Sequence, residues 1–264
     1  MKRFFTITFI VALAAATFTF AALAAGTVVV TPTNTQGWST ADTRPGGAVN
    51  FVEDSTAPSG VGALQLTTNG TNEAKAQYMH SANVPLNEVT ELSYYTKQLS
   101  GPPTAAPSYQ LPVCLGGIAA NGDCIGFTNL VYEPYWNGTV VNNTWQKWDV
   151  DGGQFWSSST YSSGACSVVS GAGGPPFYTL AGLEASCPSA VVIGLGVNIG
   201  TYNPNYNVYT DLVNLNGTTY DFEPYLIVSN AGQCKKGGWQ TLRRADGTPF
   251  TNQGDCVSYT NNGK

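Results

Sequence analysis

Short apolar runs, broken every few positions by Gly, Pro, Asn or Ser, set the pattern from Thr27 to Val228. Apolar and polar residues alternate through Ala63-Leu64-Gln65-Leu66-Thr67 and again from Val208 to Leu215. That is the period of a strand with one covered face. Val191 to Val197 is almost continuously apolar with Gly, as in a strand covered on both faces. The predicted strands are 27–31, 49–52, 62–67, 76–78, 91–98, 109–113, 128–132, 146–150, 190–197, 206–215 and 220–222. Nowhere does an apolar period of about 3.6 residues run for three turns. Many short strands at this spacing predict an all-β, antiparallel β-sandwich or barrel.

The two ends of the chain break this pattern. Lys2 and Arg3 precede an apolar run from Phe4 to Ala25 that closes on Ala22-Leu23-Ala24. A basic start, apolar middle and small-residue end make a secretory signal peptide, cleaved near Ala24 or Ala25. The run is long enough to be an anchor, but its Ala-rich end and the lack of a charged flank favour cleavage. The mature chain is thus expected outside the cell or at its surface, with no membrane insertion. From Gly26 to Asn230 there are four basic and fourteen acidic residues, a net of −10; from Ala231 to Lys264 there are five and two, a net of +3. The change of sign predicts three parts: a signal over 1–25, a sandwich over 26–230 and a basic module over 231–264.

Composition narrows the class further. Charged residues are 10% of the chain and aromatics 12%, against roughly 25% charged in an ordinary domain. Such a composition excludes a coiled coil or a charge-rich disordered chain. A formal net charge of −5 argues against nucleic-acid binding, which needs clustered Lys and Arg. Six cysteines in an exported chain read as disulfides, and they allow 15 connectivities. Proximity favours Cys114 with Cys124, Cys166 with Cys187 and Cys234 with Cys256. A metal site has less support, because no C-x-x-C occurs and His80 is the only histidine. Two Pro-, Gly- and Ser-rich stretches, Ser100 to Gly126 and Ser157 to Pro176, read as loops that the first four cysteines restrain.

Val49-Asn50-Phe51-Val52-Glu53-Asp54, then Gly60-Val61-Gly62-Ala63-Leu64-Gln65-Leu66, resembles the opening of jelly-roll domains of the carbohydrate-binding-module type. Tyr209-Thr210-Asp211-Leu212-Val213-Asn214-Leu215 resembles their closing strand. The resemblance spans roughly Thr27 to Pro224 and implies a jelly-roll β-sandwich. It also implies that Glu53 or Asp54 meets Asp211, where hard oxygen ligands would suit a structural Ca²⁺. The tail, from Cys234-Lys235-Lys236-Gly237-Gly238-Trp239 to Asn252-Gln253-Gly254-Asp255-Cys256-Val257-Ser258-Tyr259, resembles a two-cysteine segment that ends many exported bacterial proteins. It predicts a small disulfide-clipped module with Trp239 and Phe250 as its core, too small to fold without a staple.

Two kinds of residue could carry chemistry. Tyr132, Tyr135, Trp136, Trp145, Trp148 and Trp156 crowd into 25 residues among Asn and Gly. Indoles and phenols stack on the apolar faces of sugar rings, yet they also fill sandwich cores. Alternation sends Trp145 and Trp148 to opposite faces, with Trp148 assigned to the core beside Val150. Tyr135, Trp136 and Trp145, with Tyr202 and Tyr206 from an Asn-rich loop, are the candidate ligand contacts. Glu133, Asp149 and Asp151 are the candidate carboxyls of a polysaccharide hydrolase or lyase, although Asp151 precedes Gly152-Gly153 and fits a turn. With one histidine, a Ser-His-Asp triad has one possible centre, and His80 reads as a surface residue. The leading expectation is an exported, non-catalytic protein that binds carbohydrate or another cell-surface ligand. A polysaccharide-acting enzyme and a structural or adhesive surface protein are the alternatives.

Overall fold

A computed structural model describes residues 26–102 and 104–262; the expected signal peptide lies outside them. In chain order the strands are β1 (Gly26–Val30), β2 (Gly47–Glu53), β3 (Gly62–Thr68), β4 (Ala76–Pro85), β5 (Leu92–Ser100), β6 (Ser108–Cys114), β7 (Phe127–Tyr132), β8 (Gln146–Asp149) and β9 (Phe155–Ser157). They continue as β10 (Tyr161–Ser163), β11 (Cys166–Val168), β12 (Phe177–Tyr178), β13 (Val191–Ile199), β14 (Asn207–Leu215), β15 (Thr218–Phe222), β16 (Leu226–Ile227) and β17 (Leu242–Arg243). Among the described residues there are three α-helices, α1 (Pro134–Asn137), α2 (Leu180–Ser186) and, after the last strand, α3 (Gln253–Asn262), with short 3-10 turns at Leu86–Glu88 and Gly238–Gln240. Every strand expected from the alternation is present. The loop expected from Ser157 to Pro176 is partly ordered as the hairpin β10–β11, and the short strand β12 follows it.

The strands form two facing sheets, a β-sandwich of jelly-roll type. One has seven strands in the order β1-β15-β14-β3-β2, with β5 on the other edge of β14 and β8 beyond β5. The other has six, in the order β12-β9-β7-β6-β13-β4. The two sheets are antiparallel apart from the β1–β15 pair. Strand β14 reaches three neighbours because Leu212 takes a left-handed φ of 49°. Asn207–Thr210 pair with β3 before this bulge, and Val213–Leu215 pair with β15 after it. A bulge of this kind re-aims a strand at the expense of local pairing.

Alternation then fills the space between the sheets. Leu64, Leu66, Tyr94, Val208 and Val213 come from the larger sheet, and Tyr78, Tyr109, Leu111, Leu130 and Val197 from the smaller; all are buried. Trp148 is buried with them, and its indole N–H donates to Thr96 Oγ1 at 2.8 Å. Tyr109 crosses the core to donate to the Asn214 carbonyl at 2.8 Å, so its hydroxyl carries no desolvation penalty. Trp38, outside every strand, closes one end against Tyr78, Tyr220 and Phe222 at 5.1–5.4 Å. His80 packs in the same group, 4.9 Å from the Tyr220 ring and 5.6 Å from Trp38, with its Nε2 3.0 Å from the Gln36 carbonyl. Its expected surface position is therefore corrected: it is half-buried in an aromatic cluster, and desolvation holds its pKa below the ordinary value.

The disulfides are Cys114–Cys124, Cys166–Cys187 and Cys234–Cys256. The first closes the loop after β6, and the second ties β11 to the end of α2. The third sits in a second apolar cluster of Val228, Leu242 and Phe250, with Leu226, Trp239, Val257 and Tyr259 packed around it. This cluster begins ahead of Ala231, because β16 lends its strand to β17. Arg244 braces it with a bidentate pair to Asp255 at 2.7 and 2.6 Å and stacks 4.6 Å from the Phe250 ring. Among the described residues no helix is long and apolar enough to cross a membrane.

The tail cluster should fail by itself when its staple is cut. In the variant Cys234→Ser with Cys256→Ser, a closed loop of separation 22 is opened, which costs about 3 kcal/mol in the chain-entropy model. Limited proteolysis should then clip the chain between residues 229 and 252, while the urea midpoint of the sandwich stays unchanged. An equal loss of stability in the sandwich would show that the two clusters fold as one unit.

Candidate functional site

The outer face of the six-stranded sheet carries a groove of about 680 Å³. Its floor follows from the alternation that builds the core. In β6, Tyr109, Leu111 and Val113 point inward, so Ser108, Gln110 and Pro112 point outward. Register places Asn198 opposite both Gln77 and Ser108, Gly196 opposite Gln110, and Val131 between Gln110 and Trp156. The floor therefore runs across the strands, from Gln77 on β4 to Trp156 on β9. Four interstrand steps of about 4.8 Å make it about 19 Å long, the span of several sugar rings. Gly196 leaves room for a neighbour: a Cβ there would lie 2.1 Å from Met79 Sδ.

Gln77, Ser108, Gln110 and Asn198 are buried despite facing outward, because loops rise on either side. They are held by one another. Asn198 Nδ2 donates to Gln77 Oε1 at 3.1 Å, and Gln110 Nε2 to Ser108 Oγ at 2.8 Å. Ser108 Oγ in turn donates to the Asn198 carbonyl at 3.2 Å, and Gln77 Nε2 to the Ala41 carbonyl at 3.2 Å. Such a network fixes amide orientation before any ligand arrives. Two groove atoms are left over: Asn129 Oδ1 and Trp156 Nε1 are buried with no hydrogen-bond partner among the described residues. Buried polar groups without partners are uncommon and call for one.

The walls come from the two stretches expected as restrained loops. Ala105 and Ala106 belong to the first, and Ser158, Ser170, Ala172 and Gly173 to the second. Trp136 and Tyr135 secure the second wall, donating from Nε1 and from the hydroxyl to the Gly173 carbonyl at 3.0 and 3.3 Å. On the rim Tyr202 is 80% exposed, with its backbone in the left-handed region at φ 64°. A bulky residue held there is strained, and its amide donates to the Asn72 carbonyl at 2.8 Å.

Glu133 ends the floor. Pro134 starts α1 at its first position, which keeps the preceding residue extended (φ −101°, ψ 123°). Glu133 thereby continues the outward set of Asn129 and Val131. Burial pushes its pKa up to about 8, and the nearby Trp156 indole opposes that rise without a hydrogen bond of normal geometry. At neutral pH the group is largely a protonated carboxyl that donates as well as accepts. Arg44 and Lys75 lie at the opposite end of the groove, Lys75 just ahead of β4 and Arg44 bridged to it.

Of the residues expected at the site, Glu133, Tyr135 and Tyr202 line the groove. Trp136 props the wall and packs at a tilt against Phe177, with ring centres 5.2 Å apart. Tyr206 is buried, its hydroxyl donating to the Pro102 carbonyl at 3.0 Å. Trp145 lies with the other sheet, its indole donating to Asp54 Oδ2 at 3.2 Å. Asp149 is on β8 of that sheet, paired with Lys147 at 2.6 Å, and Asp151 sits in the turn after it. Neither is among the groove residues. Composition and clustering missed Gln77, Ser108, Gln110, Asn129, Asn198 and Trp156 as a set. The alternation of Ser108 and Gln110 with Tyr109 and Leu111 was the available signal.

The expected calcium ligands do not converge. Asp54 is taken by Lys97 at 2.8 Å, Thr56 and Trp145, and Glu53 faces the Tyr225 phenol. Asp211 is wholly buried, accepts from the Phe222 amide at 2.9 Å and neighbours Asp221 and Glu223. Glu223 accepts from the Val61 amide at 3.0 and 3.1 Å, and Asp221 from Ser59 Oγ at 3.1 Å. Burial raises all three carboxyls, Glu223 to about 7. Among the described residues no group of three or more His, Cys, Asp or Glu is arranged to hold a metal ion.

No family model matches the chain, and no curated protein matches it. Among solved structures, it is similar to a family 11 carbohydrate-binding module from Clostridium thermocellum, in complex with a β-1,3-1,4-mixed-linked tetrasaccharide. That likeness has a TM-score of 0.40 and 14% identity, over 69% of this chain and 89% of the other. A xylan-binding domain of family 22 from Paenibacillus barcinonensis gives a TM-score of 0.33 and 19% identity, over 69% and 84%. A carbohydrate-binding module described for its recognition of mannan gives 0.30 and 12%, over 70% and 91%.

The state of Glu133 sets a pH dependence. Its folded pKa of about 8 lies above the ordinary 4.5, so the folded chain keeps a proton that the unfolded chain releases. The stability from that proton is complete below about pH 4.5 and is lost as pH rises through about 8. Glu133→Gln should flatten the fall of Tm between about pH 5 and pH 8.5, leaving the slope due to Asp211, Asp221 and Glu223. Thermal unfolding across that range is the measurement; identical slopes for parent and variant would refute the assignment.

Proposed function

We propose that this chain is an exported, non-catalytic protein that holds an extended carbohydrate across the outer face of its six-stranded sheet. One observation carries this reading. A groove about 19 Å long is floored by pre-oriented amides and hydroxyls and bordered by Trp156, Tyr135 and Tyr202, with Asn129 Oδ1 buried and without a hydrogen-bond partner among the described residues. Sugars need both kinds of surface at once. Their axial C–H faces stack on aromatic rings, and their hydroxyls need donors and acceptors at fixed angles. Export is supported by the three disulfides, which persist in oxidising compartments.

Glu133 supports a second reading, because a carboxyl with its pKa raised to about 8 in a groove is what a catalytic acid requires. A two-carboxyl glycosidase needs a partner about 5–9.5 Å away. Among the described residues that line the groove, Glu133 is the single carboxyl, so binding is the better supported of the two.

Titration calorimetry of the mature chain against a panel of soluble polysaccharides tests the choice. Trp156→Ala should weaken binding about 30-fold, the loss of about 2 kcal/mol expected for an aromatic anchor. Tyr202→Ala should weaken it less, and Trp145→Ala not at all. Glu133→Gln should leave no turnover to lose. Release of reducing or unsaturated ends by the parent, abolished in Glu133→Gln, would replace binding with catalysis.

A further inference from the structure

The distribution of positive charge separates the groove from the rest of the sandwich. Residues 26–230 hold four basic side chains, Arg44, Lys75, Lys97 and Lys147, against fourteen acidic ones. Lys97 is paired with Asp54 at 2.8 Å and Lys147 with Asp149 at 2.6 Å. Arg44 and Lys75 make no ion pair among the described residues, and both line the groove at its β4 end. In a body of net charge −10, carboxylates are abundant enough to have paired them. Asp42 is the acid whose field reaches Lys75, and it stops short of an ion pair.

The two cations are also held together. Arg44 and Lys75 face each other across an antiparallel bridge, with the Arg44 amide donating to the Lys75 carbonyl at 2.9 Å. Gly47 crowds the same carbonyl so closely that an added Cβ would overlap it at 2.0 Å. Like charges directly opposite each other destabilise a strand pair. Desolvation holds the Lys75 pKa below its ordinary value, with the Asp42 field opposing that shift and the Arg44 charge adding a smaller push in the same direction. Tyr202 stands over this end, fixed by its amide to Asn72. A cationic pair beside an exposed ring can fork onto an anionic group while the sugar carrying it stacks.

We infer that the β4 end of the groove is a subsite for an acidic sugar unit, whose carboxylate or sulfate is taken by Arg44 and Lys75 while its ring lies against Tyr202. This deepens the carbohydrate reading and rests on it. The remaining floor, from Asn198 to Trp156, would take neutral units of the same chain.

The test is calorimetry of the mature chain on three matched oligosaccharide series: uronate-containing, the same chains with their carboxyls reduced to alcohols, and sulfated. The acidic chains should bind about tenfold tighter than the reduced ones at low salt, the contribution of one charge-assisted contact. That margin should shrink as salt rises. In Arg44→Gln with Lys75→Gln the margin should vanish, and an unchanged thermal unfolding midpoint reports that the variant is folded. The uronate and sulfate arms decide which anion fits. Equal affinity for acidic and reduced chains, with no effect of the double variant, overturns the acidic subsite and leaves the groove as a neutral-sugar site. Failure of every series to bind overturns the groove reading and the subsite together.

Discussion

The two-residue alternation along β4, β6, β7, β9 and β13 is the constraint on which the rest depends. It sends Tyr78, Tyr109, Leu111, Leu130 and Phe155 into the space between the sheets. The same backbone must then send Gln77, Ser108, Gln110, Asn129 and Trp156 to the other face. A slip of one residue in any of these strands would exchange core and groove. Tyr109 guards against such a slip in β6, because its hydroxyl must reach the Asn214 carbonyl of the opposite sheet. Core and groove are thus two readings of one register, and a single strand specifies both.

Polar residues on that face are costly unless something orients and satisfies them. The loops make them buried, and the amide network makes them rigid. The disulfides act on the same loops. Cys166–Cys187 holds the hairpin that leads into the wall of Ser170, Ala172 and Gly173, and Cys114–Cys124 closes the loop that ends the central strand β6. A binding wall made of Ser and Gly has little apolar surface with which to hold itself. Its order comes from cross-links and from the hydrogen bonds of Tyr135 and Trp136 to Gly173. Residues that look like ligand contacts in the sequence can therefore be props for the backbone that forms the site.

Much of this was legible in the sequence, and the reasons are local. Strands announce themselves through alternation and through the Gly, Pro and Asn that end them, so β3, β13 and β14 are visible without coordinates. Neighbouring cysteines paired because short loops keep them close. The site was less legible, because a groove is built from one position on each of several strands distant in the chain. Gln77, Asn198 and Gln110 are far apart in sequence and carry no motif. Clustering drew attention to Trp145 and Trp136, yet a run of aromatics can serve two sheets and a wall at once. The acidic set of Glu53, Asp54 and Asp211 is not drawn together among the described residues, for a different reason. Lys97, from β5, took Asp54, and nothing in the spacing of those residues foretold its arrival.

On the larger sheet, Asp54, Thr56, Lys97, Trp145 and Tyr209 form an aromatic and charged group much like a sugar site. There Lys97 Nζ meets Asp54 Oδ2 and Thr56 Oγ1, each at 2.8 Å, and lies 5.8 and 5.9 Å from the Trp145 and Tyr209 ring centres. The Trp145 indole N–H also ends on Asp54. A ligand arriving there would have to break charge-assisted bonds before making its own, and the exchange returns little. On the smaller sheet, among the described residues, Asn129 Oδ1 is buried without a hydrogen-bond partner, the Trp156 N–H has only the nearby Glu133 carboxyl, and Arg44 and Lys75 at the far end of the groove make no ion pair. Composition makes the two faces look alike; it is the polar groups still open to a partner that favour the groove in the proposed reading.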